Sequence, residues 1–364
     1  MDVARGLAIL GMFVAHIGSD ADATLSNGSS WFEAFDGRSA ASFSLLAGVS
    51  AGFLSGGPEP FVGVAMRGAR IRILVRAAVL LPLGVMLSLL GTPIAVILPG
   101  YAVMFAMLTV ALGWRPRTLL VVAGVVLLVA PPIVFAVRGT GAGAGGPALG
   151  YVLDLLTGRF YPALVWIAYL LVGLAVARLD LARPGMPRAL LAWGVPAAVL
   201  GYGAGALAAR FARPEGIWRS LLSTEPHADS ALEVTGNIGV VLCVLALCLV
   251  AARAPRVVYP VAATGALALT TYTAHIIVIV IIGRDVFVEP SNARLMAFVV
   301  VTLAATSLWR ATLGRGPLEW LLYASSTAAA TAGVAAPPAA QSIYAPDPEQ
   351  APRGPTRESA PPRA

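Results

Sequence analysis

The residues that could do chemistry in this chain begin almost at its first position. Arg5 and His16 are eleven positions apart within a largely apolar stretch. On a helix both side chains would project from nearly the same face, separated by roughly 16 Å along the axis. A guanidinium can hold a phosphate, and an imidazole can act as a general base or carry an acyl group. The residues alone leave two interpretations of His16 equally favoured. It is either reactive, or a histidine at the helix end that hydrogen-bonds to a neighbour or to headgroup water.

The elements that must position these two residues are membrane helices. The chain has 364 residues, of which 58% are hydrophobic and 12% charged, and its mean hydropathy is +0.82. This composition excludes an ordinary soluble domain and a disordered chain. We predict an all-α, polytopic transmembrane bundle of about ten helices, at roughly 3–18, 39–56, 72–90, 93–112, 118–137, 162–177, 188–209, 234–251, 257–283 and 295–313.

The distribution of arginine predicts how the bundle is oriented. All 25 basic residues are arginines, and most of those between apolar runs fall in alternate loops, which places both termini in the cytoplasm. This clustering in short loops argues against nucleic acid as the partner of a basic chain. In this topology the 3 histidines all lie toward the outer face.

Further candidate residues come from the loops beside His16 and from the ninth apolar segment. Asp36 lies just before the second segment, and we predict that it orients the His16 imidazole, ahead of Asp20. His227 in the polar outer connection could contact an acceptor, although an ordinary exposed loop explains it slightly better. Tyr272 and His275 lie one turn apart on the outer half of the ninth segment, and we place them on the acceptor side as well.

The inner basic group consists of Arg67, Arg70, Arg72 and Arg76. It is either a positive-inside anchor that meets anionic lipid, which the pattern favours, or a landing site for the phosphates of coenzyme A. Gly48, Gly52 and Gly56 recur at four-residue spacing, which predicts a structural stripe for close helix approach. We predict no metal site, because no Cys/His spacing suits one.

The chain divides at residue 323. We assign 1–323 to the transmembrane domain and 324–364 to a disordered, Ala/Pro-rich cytoplasmic tail. The tail has too little apolar side-chain surface to offset the entropy of ordering it.

Arg5, followed at once by Gly6 and then, after ten intervening residues, by His16, resembles the first-helix signature of integral-membrane acyltransferases. That superfamily includes the acyltransferase-three family and the heparan-alpha-glucosaminide N-acetyltransferase-like proteins. The stretches 36–50, 264–275 and 316–321 resemble an uncharacterised bacterial family of the same superfamily, so the resemblance covers nearly everything up to Tyr323.

The resemblance implies a bacterial cytoplasmic membrane enzyme with His16 as the catalytic residue. The donor would be a cytoplasmic acyl-coenzyme A, with acetyl-coenzyme A favoured. The acceptor would be a hydroxyl or amine on an extracytoplasmic or membrane-bound molecule, such as a sugar. Arg5, Arg67 and Arg70 are the candidate donor-binding residues.

Two other functional classes stay open. Ten segments, glycine stripes and a glycine-rich midpoint linker also suit a transporter or lipid flippase, although the two halves show no convincing repeat. The third alternative is a non-catalytic membrane scaffold whose tail binds a partner. The sequence leaves the oligomeric state open.

Overall fold

A computed structural model describes residues 1–18, 35–139, 146–212, 215–283 and 291–334, and within these ranges the chain is helical without strands. A short π-helical turn, Ala208–Ala212, continues one helix. The α-helices are α1 (Asp2–Ile17), α2 (Arg38–Leu54), α3 (Gly63–Ser88), α4 (Leu98–Leu108), α5 (Pro116–Gly139), α6 (Gly146–Thr157), α7 (Ala163–Ala177), α8 (Met186–Leu207), α9 (Ile217–Leu222), α10 (Ala231–Ala251), α11 (Pro255–Ala266), α12 (Ala268–Ile282), α13 (Asn292–Thr312) and α14 (Pro317–Val334).

Capping residues explain where several of these helices begin. Pro255 and Pro317 are the first residues of α11 and α14, a position where the missing N–H of proline costs nothing. The hydroxyl oxygens of Ser230 and Ser291 accept hydrogen bonds from backbone N–H groups in the first turns of α10 and α13. Each serine thereby satisfies a donor that has no partner inside its helix.

Five helices of the described residues are long and apolar enough to cross a membrane. They are α3, α5, α8 with its π-helical turn, α10 and α13, and the bent pair α11–α12 could be a sixth. Helices α1, α2 and α7 have 16, 17 and 15 residues, shorter than the ~20 that span a bilayer unaided. The chain is therefore an all-helical membrane protein, while ten crossing helices stay a prediction.

Helix α7 forms the centre of the core. It is apolar on every side and almost entirely buried, with Trp166 and Tyr169 among the largest enclosed side chains. A helix that is hydrophobic all round needs neighbours all round, and α2 and α5 pack against it.

The predicted glycine stripe is confirmed at the contact between α2 and α7. A Cβ atom at Gly48 would lie 2.1 Å from the Leu170 carbonyl oxygen, and one at Gly52 would lie 2.3 Å from the Ala177 Cβ. Gly173 on α7 is equally close to α2, because its Cβ would lie 1.9 Å from the Leu45 oxygen. Gly56 lies beyond the end of α2 with φ +110°, so it serves the turn and not the helix contact.

The end of the chain corrects one predicted boundary. We placed the start of the disordered tail at residue 324, but α14 continues to Val334. Ser326 and Ala330 on this helix are buried, and α14 packs along α3. Alanine has the highest helix propensity and its small side chain allows close approach, so a composition that resembles a linker forms a packed helix here. Residues 335–364 of the predicted tail lie outside the described residues.

Two truncations test this boundary. Ending the chain after Val334 should leave the melting temperature unchanged, whereas ending it after Ser326 should cost about 1–2 kcal/mol, because the contact of Ala330 with α3 is lost. Thermal unfolding of the two purified proteins in detergent compares them directly. Equal melting temperatures would show that the last turns of α14 add nothing to the fold.

Candidate functional site

His16 and His275 meet at the end of α1. The distance from His16 Nδ1 to His275 Nε2 is 3.2 Å, and the two rings are nearly parallel at 13° with centroids 5.4 Å apart. One imidazole can donate this hydrogen bond and the other accept it, so a proton can pass between them. His275 is buried, whereas His16 keeps partial exposure. The rings of Phe13 and Tyr272 pack against His275 at 5.4 and 5.3 Å.

Asp36 lies beside a different histidine from the one we predicted. Its Oδ1 atom is 3.6 Å from His227 Nε2, so its direct partner is His227 and not His16. The turn at Gly37, with φ +69°, leads from Asp36 into α2, and a Cβ at Gly37 would lie 3.6 Å from the backbone nitrogen of His227. The loop that carries His227 therefore reaches Asp36 from the opposite part of the sequence.

The Asp36–His227 pair favours its charged form. Burial is the largest single influence on His227 and opposes its charge, but Asp36, Glu233 and Asp229 together outweigh it, so the pKa of His227 lies above its ordinary value. The interaction with His227 is in turn the largest cause that lowers the pKa of Asp36. Because opposite charges this close favour each other, the pair holds the His227 loop against the residues that precede α2.

Buried carboxylates hold the His227 loop in place. The Glu233 side chain accepts hydrogen bonds from the backbone N–H groups of His227 at 3.0 Å and Asp229 at 2.7 Å. Asp229 accepts from Arg138 at 2.8 Å and from the Trp166 indole at 2.7 Å. Both His227 and Asp229 have positive φ, at 60° and 56°, which only a well-supported loop can maintain.

The loop is thus more ordered than the exposed connection that the sequence slightly favoured. One signal would have indicated this: Ser230-Ala-Leu-Glu233 has the spacing of a capping box. Ser230 Oγ does accept from the Glu233 N–H at 3.0 Å. The Glu233 carboxylate, however, accepts from the N–H groups of His227 and Asp229, whereas in a capping box it would bond to the N–H of Ser230.

At the opposite end of α1, a cavity of ≈ 230 Å³ is bordered by two arginines. The Arg5 guanidinium donates to Asp2 at 3.0 Å and to Ser50 at 2.5 Å. Arg76 also lines the cavity, and its buried Nε makes no hydrogen bond with the part of the chain that the structure describes. Two guanidinium groups beside one cavity make it a candidate site for an anion.

The cavity extends from the arginines toward the histidine pair. Met12, one turn before His16 on α1, lines it together with Tyr272. Tyr272 also packs against the His275 ring. The predicted alignment of Arg5 and His16 on one face therefore corresponds to a space along α1 with charge at one end and imidazoles near the other.

Arg67 and Arg70 lie outside this cavity. Both are exposed on α3, and Arg70 Nε donates to the Thr109 carbonyl oxygen at 3.2 Å. Arg76 belongs to the same basic group but lies farther along α3, where its side chain faces the interior. The structure thus brings Arg5 together with Arg76, and Arg67 and Arg70 suit the anchoring role.

A broken helix forms another wall of the cavity. Helices α11 and α12 meet at 71°, which leaves the first N–H groups of α12 without helical partners. Glu319 on α14 accepts from the N–H groups of Leu269 at 2.7 Å and Thr270 at 3.0 Å, and from the Thr270 hydroxyl at 2.6 Å. In the sequence, 316–321 carried only part of a resemblance, and the role of Glu319 as a cap was not predicted.

Removing the charge of Glu319 should destabilise this break. In Glu319→Gln, one amide oxygen replaces a carboxylate at a helix N-terminus, and we expect a loss of about 1–3 kcal/mol. Thermal unfolding measures the loss. Glu59→Gln is the control, since it makes the same chemical change at an exposed residue and should leave stability unchanged; an equal shift in both variants would contradict the capping role.

The fold is that of an all-helical membrane protein whose apolar core encloses polar clusters, among them the His16–His275 pair and the His227 loop. Residues 180–326 match the model of a family described as protein of unknown function, DUF418. The matched part includes His227, His275 and Glu319 but not α1 with Arg5 and His16. No curated protein and no solved structure matches the chain, so the resemblance to membrane acyltransferases stays a prediction.

Proposed function

We propose that this protein is a membrane acyltransferase that uses acyl-coenzyme A, with acetyl as the favoured acyl group. The observation that supports it best is the layout of α1, with an arginine-bordered cavity at one end and the His16–His275 contact at the other. The acceptor would be a hydroxyl or amine on an extracytoplasmic or membrane-bound molecule such as a sugar. With both termini in the cytoplasm, the Arg5 end faces the donor pool and the histidine end faces the acceptor.

In this mechanism His16 removes the proton from the acceptor hydroxyl or amine. The freed electron pair attacks the thioester carbonyl carbon, the carbon–sulfur bond breaks, and the thiolate leaves and takes up a proton. His275, 3.2 Å from His16, accepts or returns the proton through the shared hydrogen bond. The partial burial of the pair keeps competing water away.

The donor would place a phosphate at Arg5 and Arg76. The cavity of ≈ 230 Å³ is smaller than the roughly 300–1,000 Å³ of drug-sized ligand pockets, so it accommodates only part of coenzyme A. The guanidinium groups fit the charge and geometry of phosphate oxygens.

Arg76 provides the sharpest test of donor binding. Arg76→Gln should weaken the affinity for acetyl-coenzyme A about tenfold, the usual size of one charge-assisted contact. Arg67→Gln removes the same charge from the exposed side of α3 and should bind like the unaltered protein. Equilibrium dialysis of purified protein with labelled acetyl-coenzyme A measures both, and equal losses would place the donor outside this cavity.

One observation favours a transporter as the second candidate. Broken helices beside a cavity are typical of transporters, and α11–α12 is broken by 71° where it borders the arginines. Slow hydrolysis of acetyl-coenzyme A without an acceptor would distinguish the enzyme. A transporter would instead carry an anion into proteoliposomes without cleaving a thioester.

A further inference from the structure

A groove lies between α12 and α13, on a different face of α12 from the arginine cavity. Its volume is ≈ 530 Å³, and along α13 it extends from Arg294 to Trp309. The fifteen helical steps from Arg294 to Trp309 make it roughly 22 Å long, which is most of the ~30 Å thickness of a bilayer's hydrocarbon layer. A groove of this length and volume can accommodate one extended hydrocarbon chain.

The walls of the groove suit such a chain. Small and aliphatic side chains line its middle, among them Ala274, Val278, Val301 and Ala305. Only 11% of the apolar window of α13 is buried, so the groove opens toward the bilayer. At the end nearest the loop between the two helices, Arg294 adds a guanidinium, whose planar donors complement a phosphate.

His275 forms part of the same wall. Its Nε2 faces His16, and the ring itself is buried with 3% exposure. A hydrocarbon chain in the groove would therefore pack against the covered edge of the imidazole without competing for its hydrogen bonds.

We propose that the groove is a binding site for one phosphate-bearing membrane lipid. A hydrocarbon chain of the lipid lies along the apolar wall past His275, and its phosphate lies at Arg294. The bound chain covers the bilayer side of His275. Lipid binding at this site requires neither an acyl donor nor a reaction, so it can be tested independently of the proposed acyl transfer.

Neighbouring alanines on α13 provide a matched test. Ala305 lines the groove, whereas Ala304 is exposed on the same helix without lining it. In vesicles of phosphatidylglycerol with a diazirine on one acyl chain, light should attach the probe to α12 and α13. Ala305→Trp fills the slot and should reduce this labelling about tenfold, while Ala304→Trp should label normally. Should Ala305→Trp fail to fold, Ala297→Trp within the groove and Met296→Trp beside it replace the pair.

Arg294 tests the headgroup. Unlabelled phosphatidylglycerol should displace the probe better than diacylglycerol, which has similar chains but no phosphate. In Arg294→Gln this preference should disappear, because an amide cannot pair with the phosphate charge. Equal labelling of the two tryptophan variants would overturn the proposal, as would equal displacement by both lipids or cross-links from the groove to a second copy of the chain.

Discussion

Replacement of His16 by alanine should abolish acyl transfer and leave the amount of folded protein close to that of the unaltered chain. A positioned general base contributes about 10²–10⁴-fold to the rate, and alanine cannot take up a proton. The structural cost should be small, because His16 is at the penultimate position of α1, is partly exposed and, among the described residues, has a side-chain hydrogen bond only to His275. The measurement is acetyl transfer, or slow hydrolysis, at matched folded concentration.

Alanine variants of the other two histidines should lose activity to different extents. On the sequence alone we expected both His227→Ala and His275→Ala to retain more activity than His16→Ala. The contact between His16 and His275 changes this for His275, whose loss should reduce turnover strongly, since the proton then has no second imidazole. His227 pairs with Asp36 and its loss should be milder. Full turnover by His16→Ala would place the chemistry outside α1.

Helix geometry accounts for what the sequence could predict of this site. Residues eleven apart share a helix face, so spacing alone could align Arg5 with His16. The distribution of arginines between alternate loops predicted that the three histidines lie at one end of the bundle. The contact between His16 and His275 supports that placement, although it joins residues 259 positions apart. No local pattern encodes such a contact; it depends on how α1 packs against α11, α12 and α13.

The features of the site that the sequence did not predict also depend on contacts between distant segments. Arg67, Arg70 and Arg76 are close in sequence and form one basic group, but only the tertiary packing of α3 places Arg76 toward the interior. Asp36 was assigned to His16 by nearness in sequence, and the His227 loop arrives from a distant segment. The short helices α1, α2 and α7 are apolar enough to look like crossings, yet burial among neighbours explains that composition equally well.

Arg178 shows how far a residue's role can depart from its sequence pattern. It falls in a loop that the positive-inside rule assigns to the cytoplasm, where an arginine is ordinarily a solvated anchor. In the structure it is 6% exposed. Its guanidinium donates to the carbonyl oxygens of Gly52 at 3.2 Å and Gly57 at 2.5 Å, to the Ser55 hydroxyl at 2.9 Å and to the Leu112 carbonyl oxygen. It thereby joins the end of α2 to the turn after α4.

Arg178→Ala should therefore be the most destabilising single change that we predict. It leaves several buried acceptors without donors at the negative end of α2, and we expect a loss of about 3–5 kcal/mol, a large part of the stability of an ordinary domain. Arg178→Lys should recover part of it, since an ammonium lacks the planar fork that reaches all the acceptors. Arg183→Ala removes an exposed arginine nearby and should melt like the unaltered protein. Detergent-solubilised protein on a size-exclusion column after a temperature series measures all three variants, and an Arg178→Ala protein as stable as Arg183→Ala would show that these hydrogen bonds do not hold the core together.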